Sequence, residues 1–476
     1  MQYLEQMSKE ELIELIHQNN KEQKLGLVWE KSDLTEKKLK LDIEKIEVKS
    51  IIKDNKQPVN LIFEGDNYHS LIHLREKYKG MIDFIYIDPP YNTGSKDFVY
   101  NDRFVDTEHK YRHSKWLSFM NKRLRVAKEL MSEDSVIFIS IDDNQVAHLT
   151  LLCDEIFGEE NKLNPIIWLK GNSQNDAKFI EKNHEYILVY KKGNPILKER
   201  ALVKEEVFKD EYGYYTRGYG ITTGGMGGTL NKRPNLGFTI YYNPSSGDKI
   251  GVRDYDVELA RISNNEDEIY STNQELLEAG YIPIRPPKKG KKLGSWTWSL
   301  DKFNEEEHCI FIRKGRNGYS VIKKNYMENE NMIYCENNKF YIDIEKSKPI
   351  KSFIKINSGK GTTEIVSMFN EKIFNNSKPV ELIKYLLSIY HKPNPIILDF
   401  FAGSGTTGQA VLELNKKDGN CRQFILCNSN ENNICEKITY ERIKKTILGY
   451  INNRGKEIEG INGNVEYYKI HCKEGF

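Results

Sequence analysis

Residues 81–91 read MIDFIYIDPPY, an apolar run that ends in the turn Asp88-Pro89-Pro90-Tyr91. A short, largely apolar run of this kind predicts a buried strand of a parallel sheet. The prolines fix the backbone and bias the preceding residue toward an extended conformation, so Asp88 should be held rigidly at the carboxyl end of the strand. The Asp88 carboxylate and the Pro89 carbonyl could then accept both hydrogens of an exocyclic amine, while Tyr91 stacks on its ring. The alternative is a plain turn that closes a strand.

Strand-like and helix-like stretches alternate on both sides of this turn, which predicts an α/β protein with a parallel sheet. The other predicted strands are 59–63, 136–141, 166–168, 186–190, 395–400 and 423–427. The predicted helices run through Leu71 to Leu74, Trp116 to Leu130, Val146 to Phe157, Leu382 to Leu387, Gln409 to Leu414 and Ile434 to Ile447. A capping box at Ser8 begins a further amphipathic helix, residues 31–57 form a charge-rich connector, and residues 92–107 form a polar loop.

The composition changes near residue 192, where glycine, asparagine and tyrosine become frequent and helical periodicity disappears. The α/β pattern returns after the stretch 200–350, which therefore reads as an insertion of short strands and loops. We predict four segments: an N-terminal helical segment and connector (1–57), a first half of the α/β domain (58–195), the insert (196–355), and a second half with a C-terminal helix (356–476).

A second turn, residues 399–408, reads DFFAGSGTTG and lies between a predicted strand and a predicted helix. Gly403, Gly405 and Gly408 satisfy G-x-G-x-x-G, a spacing that lets the backbone approach a cofactor closely. In dinucleotide-binding proteins such a turn holds a pyrophosphate at the helix N-terminus. Asp399 would repel a phosphate but suits a cationic sulfonium, which favours S-adenosylmethionine. A dinucleotide turn and a purely structural turn are the alternatives.

Together, the two turns resemble those of the DNA amino-methyltransferases that act on adenine N6 or cytosine N4. The amine-binding turn comes first and the cofactor turn last, which is the order of the beta group. Softer motifs resemble the modification (Mod) subunits of type III restriction-modification systems, and the resemblance covers nearly the whole chain. These motifs are residues 25–30, 64–67, 233–235, 295–298 and 378–379.

The resemblance implies a Rossmann-like methyltransferase sheet, circularly permuted in motif order, with an inserted α+β target-recognition domain. It also implies site-specific methyl transfer from S-adenosyl-L-methionine to the N6 amine of an adenine flipped out of double-stranded DNA. The implied partners are double-stranded DNA, a second copy in a homodimer, and a helicase-nuclease (Res) subunit. In this family an aspartate at the head of the turn, here Asp88, usually accompanies adenine, and a serine accompanies cytosine.

Individual residues receive roles from the same resemblance. The catalytic residues that hold the target amine and base are Asp88, Pro89, Pro90 and Tyr91. The cofactor-binding residues are Asp399, Phe401, Gly403, Gly405, Glu431, Asp66 and Lys378. Within this set, Glu431 matches the acid that holds the ribose hydroxyls, Asp66 could touch the adenine, and Lys378 could lie near the methionine part. For Asp66 and Lys378 a surface role is an equal alternative.

The stretch 285–324 of the insert holds eleven lysines and arginines against four acidic residues, although the net charge of the chain is only +2. Lysines can neutralise DNA phosphates, and tryptophans could pack on the backbone or fill the space that a flipped base leaves. The predicted DNA-binding residues are Trp296, Trp298, Lys288, Lys289, Lys291 and Lys292. The alternative is a solvated basic loop with two core tryptophans.

Composition bounds the remaining possibilities. The 476 residues, of which 38% are hydrophobic and 29% charged, suit a soluble chain of about two or three domains. Seven cysteines without a C-x-x-C pair, and a first segment without signal-peptide character, predict a reducing cytoplasm. Ten histidines without ligand spacing predict no structural metal.

Five other functions stay open on the sequence alone. Three of them are other methyltransferases: a solitary DNA adenine methyltransferase, an N4-cytosine enzyme, and an enzyme that acts on RNA or a free amine. The fourth is a DNA-recognition subunit without catalysis, which the intact turns disfavour. The last is a dinucleotide-dependent oxidoreductase.

Overall fold

The computed structural model describes residues 8–9, 40–54, 57–92, 112–171, 179–223, 225–315 and 318–473. The helix predicted from Ser8, the motif at 25–30 and the predicted loop 92–107, apart from Asn92, lie outside these residues. The chain divides into two compact units, Met1–Glu199 with Ser347–Phe476, and Arg200–Lys346. The second unit lies within the predicted insert. None of the helices in the described ranges is long and apolar enough to cross a membrane.

The elements are numbered here in chain order. The strands are β1 (Lys40–Lys45), β2 (Val59–Glu64), β3 (Ile82–Ile87), β4 (Met131–Ile141), β5 (Lys162–Leu169), β6 (His184–Lys191), β7 (Glu199–Asp210), β8 (Gly213–Gly220), β9 (Thr239–Tyr242), β10 (Lys249–Val252), β11 (Ile282–Ile284), β12 (Ile310–Gly315), β13 (Gly318–Tyr326), β14 (Tyr334–Glu336), β15 (Lys339–Lys348), β16 (Phe353–Lys355), β17 (Ile396–Asp399), β18 (Gln423–Asn428), β19 (Gly449–Ile451), β20 (Glu457–Glu459) and β21 (Asn464–Lys473).

The α-helices are α1 (Asn67–Tyr78), α2 (Arg112–Leu130), α3 (Val146–Phe157), α4 (Leu259–Ile262), α5 (Glu266–Ile269), α6 (Gln274–Glu278), α7 (Leu300–Glu305), α8 (Gly359–Phe369), α9 (Val380–Ser388), α10 (Thr406–Asp418) and α11 (Glu441–Leu448). A π-helical turn, Cys435–Tyr440, precedes α11. Short 3-10 turns lie at Glu47–Lys49, Glu159–Asn161, Met226–Gly228, Leu230–Lys232, Pro234–Leu236, Glu307–Cys309, Glu330–Met332 and Glu431–Asn433.

Ten strands form the main sheet of the first unit, in the order β1-β21-β2-β18-β17-β3-β4-β6-β5-β16. All six residues of β3 are buried, as expected for a parallel strand with helices on both faces. Phe84 and Tyr86 belong to one hydrophobic cluster with residues of α9 and α10, and Ile85 and Ile87 belong to another with residues of α1, α2 and α3. The predicted fold class, a Rossmann-like α/β sheet with a permuted motif order, is confirmed.

The two predicted turns follow strands that are direct neighbours. In β17 and β3, which run parallel, Ile397 lies opposite Phe84 and Leu398 lies opposite Ile85. Both strands therefore end at the same edge of the sheet, so Asp88 and Asp399 come to that edge although the whole insert separates them in sequence. In open α/β sheets ligands bind in the crevice outside the carboxyl ends of the strands.

The sheet is parallel only from β21 to β4. Strand β6 runs antiparallel to β4 and β5, and β1 runs antiparallel to β21, so the prediction of a parallel sheet is wrong at both sides. Local patterning predicts that a segment is a strand, but the direction of a strand depends on which partner it meets. Residues 40–45, predicted as connector, form the edge strand β1.

The predicted closing helix is not the last element of the described chain. It corresponds to the π-helical turn and α11, after which the chain continues as β19, β20 and β21. Strand β21 enters the sheet between β1 and β2. Its alternation of apolar and polar residues from Val465 to Ile470 is a strand pattern that the C-terminal helix prediction overlooked.

The second unit combines short helices with two antiparallel arrangements. Six strands pair in the order β12-β13-β8-β7-β15-β14, and three in the order β10-β9-β11. Its hydrophobic cluster includes Phe238, Trp296, Trp298 and Phe303. The predicted α+β character of the insert is confirmed.

Candidate active site

The Asp88-Pro89-Pro90-Tyr91 turn leaves the end of β3 and meets a lysine from a distant part of the chain. Lys378, which precedes the α9 N-cap residue Pro379, donates hydrogen bonds from Nζ to both carboxylate oxygens of Asp88, at 2.8 and 2.7 Å. The same ammonium donates to the Tyr91 hydroxyl at 2.9 Å and lies 4.9 Å from the centroid of the Tyr91 ring. The lysine predicted to lie near a cofactor is thus bound to the catalytic carboxylate.

A second carboxylate completes this cluster. Glu185, in β6, accepts a hydrogen bond from the Tyr91 hydroxyl at 3.0 Å and lies 3.6 Å from Lys378 Nζ. Its other oxygen lies 2.7 Å from Lys170 Nζ. Neither Glu185 nor Lys170 is among the residues predicted from the sequence, although an acidic residue in a strand as apolar as residues 184–191 was a usable signal.

Electrostatics keep this cluster in defined protonation states. Burial alone would lower the pKa of Lys378, but Asp88 and then Glu185 outweigh it, so that its pKa is raised. Burial and the neighbouring Glu185 raise the pKa of Asp88, against the opposing effect of Lys378. Burial also acts to raise the pKa of Glu185, but Lys378 and Lys170 outweigh it and lower that pKa. Two carboxylates therefore share one buried ammonium, and Glu185 is the more acidic of the two relative to its usual value.

The proline turn itself is held from the side. The Trp116 indole, buried in α2, donates from Nε1 to the Pro90 carbonyl at 2.7 Å. One residue before the turn's strand ends, the Tyr86 hydroxyl is hydrogen-bonded to the Ser140 hydroxyl at 2.9 Å. Burial raises the pKa of Tyr91, and the nearby carboxylates raise it further, so that its hydroxyl stays protonated. The turn is thus fixed independently of any ligand.

The glycine turn is braced by its own aspartate. The buried Asp399 carboxylate accepts hydrogen bonds from the Phe401 amide at 3.0 Å and from the Thr407 hydroxyl at 2.6 Å. Burial raises its pKa to about 7, against these two hydrogen bonds. Gly405 has φ +80°, and a Cβ there would lie 3.1 Å from the Thr439 carbonyl oxygen, so the close approach of two backbones requires glycine.

A buried arginine joins this turn to the segment that carries Lys378. Arg442, in α11 and 1% exposed, donates from Nη1 to the hydroxyls of Ser404 and Thr406 in the turn, at 3.0 and 2.9 Å. The same nitrogen donates to the hydroxyl of Ser377, directly before Lys378, at 3.2 Å. The relative position of the two segments is therefore fixed by hydrogen bonds as well as by packing.

The remaining predicted cofactor residues differ in their surroundings. Asp66 is the N-cap of α1, where it accepts from the Tyr68 amide at 2.7 Å and pairs with Arg123 at 3.2 Å. This structural role matches the alternative considered for Asp66. Glu431 follows β18, and burial together with Asp66 raises its pKa. Phe401, at the turn, packs its ring 6.0 Å from that of Phe119.

Residues 82–440 match the model of the N6/N4 methyltransferase family, described as DNA methylase. The chain belongs to this family. The resemblance on which the sequence prediction rested is confirmed, and the span of the match includes both turns and the insert.

This DNA methylase is similar to curated proteins of two kinds. It is 35% identical over 410 residues to the type III restriction-modification enzyme EcoPI Mod subunit of Escherichia phage P1, which covers 79% of this chain and 58% of the relative. It is 30% identical over 400 residues to the type II methyltransferase M.KpnI of Klebsiella pneumoniae, which covers 82% of this chain and 86% of the relative. The chain thus spans about three fifths of the length of the Mod subunits that head its matches, at 58% and 60%.

Among solved structures, the DNA modification methylase TTHA0409 of Thermus thermophilus, in complex with S-adenosyl-L-methionine, aligns with a TM-score of 0.36 at 13% identity. The alignment covers 85% of this methylase and 100% of that chain.

The insert of the methylase requires a correction to the predicted DNA-binding set. Trp296 is 1% exposed and Trp298 is 8% exposed, and the Trp296 indole donates to the Phe238 carbonyl at 2.7 Å. Both rings therefore belong to the core of the insert, as the alternative had it, and not to a surface that DNA could reach. Large aromatic rings serve a core and an interface equally well, so the sequence did not separate the two.

The predicted lysines lie at or near the surface. Lys288 and Lys291 are exposed, whereas Lys289 and Lys292 are half-buried and pair with each other in a tight turn. Lys288 also pairs with Glu266 at 2.9 Å. Their contact with DNA stays a prediction.

Proposed function

We propose that this chain methylates the N6 amine of an adenine that is flipped out of double-stranded DNA, with S-adenosyl-L-methionine as the methyl donor. The observation that carries the proposal is the adjacency of Asp88 and Tyr91, at the end of β3, to the glycine turn after β17, in a chain of the DNA methylase family. Adjacent strand ends bring an amine acceptor and a cofactor cradle to the same crevice.

The residues around the glycine turn fit the proposed cofactor. The turn is already braced by Asp399 and Thr407, so it needs no rearrangement to receive a ligand. Glu431, only partly buried, offers a carboxylate suited to the two ribose hydroxyls, and Phe401 offers an apolar ring. When bound, the cofactor would supply the methyl group as a sulfonium.

The chain's own residues prepare the amine. The Asp88 carboxylate and the Pro89 carbonyl accept its two N–H groups, which aims the nitrogen lone pair away from the turn. Tyr91 stacks on the base and fixes the plane of its ring. Catalysis then rests on positioning and on preorganised charge. As the nitrogen gains a methyl group it loses one proton, and the raised pKa of Asp88 suits it to take up that proton.

Adenine is the proposed base because an aspartate heads the turn, and because this feature accompanies adenine in the family that the sequence resembles. Cytosine N4 is the second candidate, since the matching family covers both amines. The amine geometry at Asp88 suits either base.

We further propose that the chain acts as the modification subunit of a type III restriction-modification system, as a homodimer that partners a helicase-nuclease subunit. The 35% identity to the EcoPI Mod subunit supports this assignment. The similarity to M.KpnI supports the alternative of a methyltransferase that works without such a partner. The lysines of residues 288–292 are the proposed DNA contacts within the insert.

One experiment tests the base, the site and the system together. The chain is expressed in cells that lack their own DNA methylation, and the DNA is read by methylation-aware sequencing. We expect N6-methyladenine at one recurrent sequence, on one strand if the type III assignment is right. Methylated cytosine N4 would replace adenine by the second candidate, and unmodified DNA would reject the proposal.

The matched control for that experiment is Asp88→Ala. The variant should lose methylation but keep cofactor binding, because Asp88 lies at the amine and the cofactor turn is braced by other residues. Binding is measured from the rise in melting temperature with S-adenosyl-L-methionine. Full activity of D88A would show that the amine acceptor has been assigned wrongly.

A further inference from the structure

The Lys378 ammonium occupies both features that the target base needs. It donates to both oxygens of Asp88, at 2.8 and 2.7 Å, where the base amine would donate. It also lies 4.9 Å from the centroid of the Tyr91 ring, within the range of a cation–π contact, where the base would stack. The Lys378 side chain is only 10% exposed, so this position lies inside the protein and is not a chance contact at the surface.

Sharing of the position by base and lysine is sterically excluded on the ring face. A carboxylate has lone pairs for more than two donors, so Asp88 alone could bind an amine beside the ammonium. The face of Tyr91 cannot hold a stacked base and an ammonium at the same place. The base therefore has to move Lys378 before it can take up the reacting geometry.

Glu185 provides the place to which Lys378 can move. Its carboxylate is 3.6 Å from Lys378 Nζ and already accepts from Tyr91 and pairs with Lys170. A shift of the ammonium from Asp88 toward Glu185 keeps two lysines and two acids together, and the incoming base amine is neutral. The exchange therefore moves no charge into water, which would otherwise be the main cost of breaking a buried ion pair.

We propose that Lys378 is a built-in competitor of the target amine, which holds the amine-binding position on Asp88 until the base enters and then transfers to Glu185. Lys378 and Glu185 are thereby specificity-determining residues. A base binds only when the DNA contacts supply enough free energy to displace the lysine, which favours the correct sequence over a transiently flipped base elsewhere. This inference rests on the proposed function.

The test uses DNA that carries the site found by sequencing, with 2-aminopurine next to the target base, and S-adenosylhomocysteine as the unreactive cofactor. The fluorescence of 2-aminopurine rises when its neighbour leaves the stack. At pH 8, K378M should bind and flip the base about tenfold more favourably, the size expected for removal of a charge-assisted competitor. E185Q, which lacks the second charged acceptor, should shift flipping in the opposite direction by about fivefold.

Lys392→Met is the matched control. Lys392 pairs with Asp83 of the same strand, β3, at 2.5 Å, but lies away from the amine-binding turn. It should leave flipping unchanged. The acidic limb of the activity profile should move to higher pH in K378M, because Lys378 lowers the pKa of Asp88, and should stay in place in K392M.

Two results would overturn the inference. If K378M weakens both flipping and the affinity for S-adenosylhomocysteine, Lys378 holds the cofactor, as the sequence resemblance implied. If K378M fails to fold, unchanged flipping in E185Q would reject the transfer to Glu185. Absence of methylation by the unmodified protein would instead reject the proposed function and would not bear on Lys378.

Discussion

Replacement of Asp399 by asparagine should change how the stability of the fold depends on pH. The pKa of Asp399 is raised from 3.8 to about 7, first because burial disfavours the ionised carboxylate. Between these two values the folded chain keeps a proton that the unfolded chain releases, so a rise in pH destabilises the fold. A shift of this size corresponds to about 4 kcal/mol, at roughly 1.4 kcal/mol for each pKa unit.

The sign of the effect follows from the direction of the shift. The stabilisation from the protonated form is fully present below about pH 4 and is lost as the pH rises through about 7. The D399N side chain cannot ionise, so it escapes this loss. At pH 5 the variant should be less stable by about 1–2 kcal/mol, because it replaces an acceptor that binds Thr407 and the Phe401 amide. By pH 8 the difference should reverse in favour of the variant.

The assay is urea unfolding of the cofactor-free protein between pH 4 and 8, with amide exchange in peptides of β17 as the local readout. D418N is the control, because Asp418 has a lowered pKa: burial raises it, but hydrogen bonds from Arg422 outweigh burial. That variant should differ from the unmodified protein in the opposite sense as the pH rises. A difference between D399N and the unmodified protein that does not vary with pH would refute the reasoning.

Three further changes separate the turns from the insert. W116F leaves the Pro90 carbonyl unpaired, so it should cost about 1–3 kcal/mol and lower kcat; W296F loses a similar indole bond within the insert and should cost stability alone, as urea unfolding and single-turnover kinetics will decide. G405A should weaken cofactor binding in a thermal-shift assay, whereas G419A, with φ +73° and open space around it, should cost only local strain. Alanine at the four lysines of 288–292 should lower the salt slope of DNA binding by about 0.9 for each phosphate that these lysines neutralise, and an unchanged slope would remove them from the interface.

Elements with strong periodicity were predictable from the sequence almost to the residue. The helix predicted at Val146 to Phe157 has these bounds in the structure, and the strand before Asp88 ends at Ile87 as expected. Such segments are defined by local patterns that tertiary contacts only reinforce. Strand direction and strand order were less accessible, because the antiparallel β6 and the late strand β21 depend on partners that are far apart in sequence.

The candidate site was predictable in its turns but not in its ion pairs. Asp88 and Asp399 could be identified because prolines and glycines at fixed spacing restrict the backbone in recognisable ways. The contact of Lys378 with Asp88, and the presence of Glu185, follow from the pairing of distant segments. Trp296 illustrates the converse, since an aromatic residue in a basic stretch gives the same sequence pattern whether it lies in a core or at a surface.

The order of these residues along the chain gives the site a property that neither turn has alone. Glu185 precedes the unit Arg200–Lys346 and Lys378 follows it, so the two residues that compete for or support the amine-binding position lie on either side of the insert in sequence. Asp88 would be a permanently neutralised acceptor if Lys378 had no other partner, and a carboxylate in that state binds an amine poorly. A second acid within 3.6 Å of Lys378 Nζ makes the neutralisation reversible. The catalytic turn, which is rigid in its backbone, is therefore adjustable in its charge, and this adjustability is what D88A, K378M and E185Q measure from three sides.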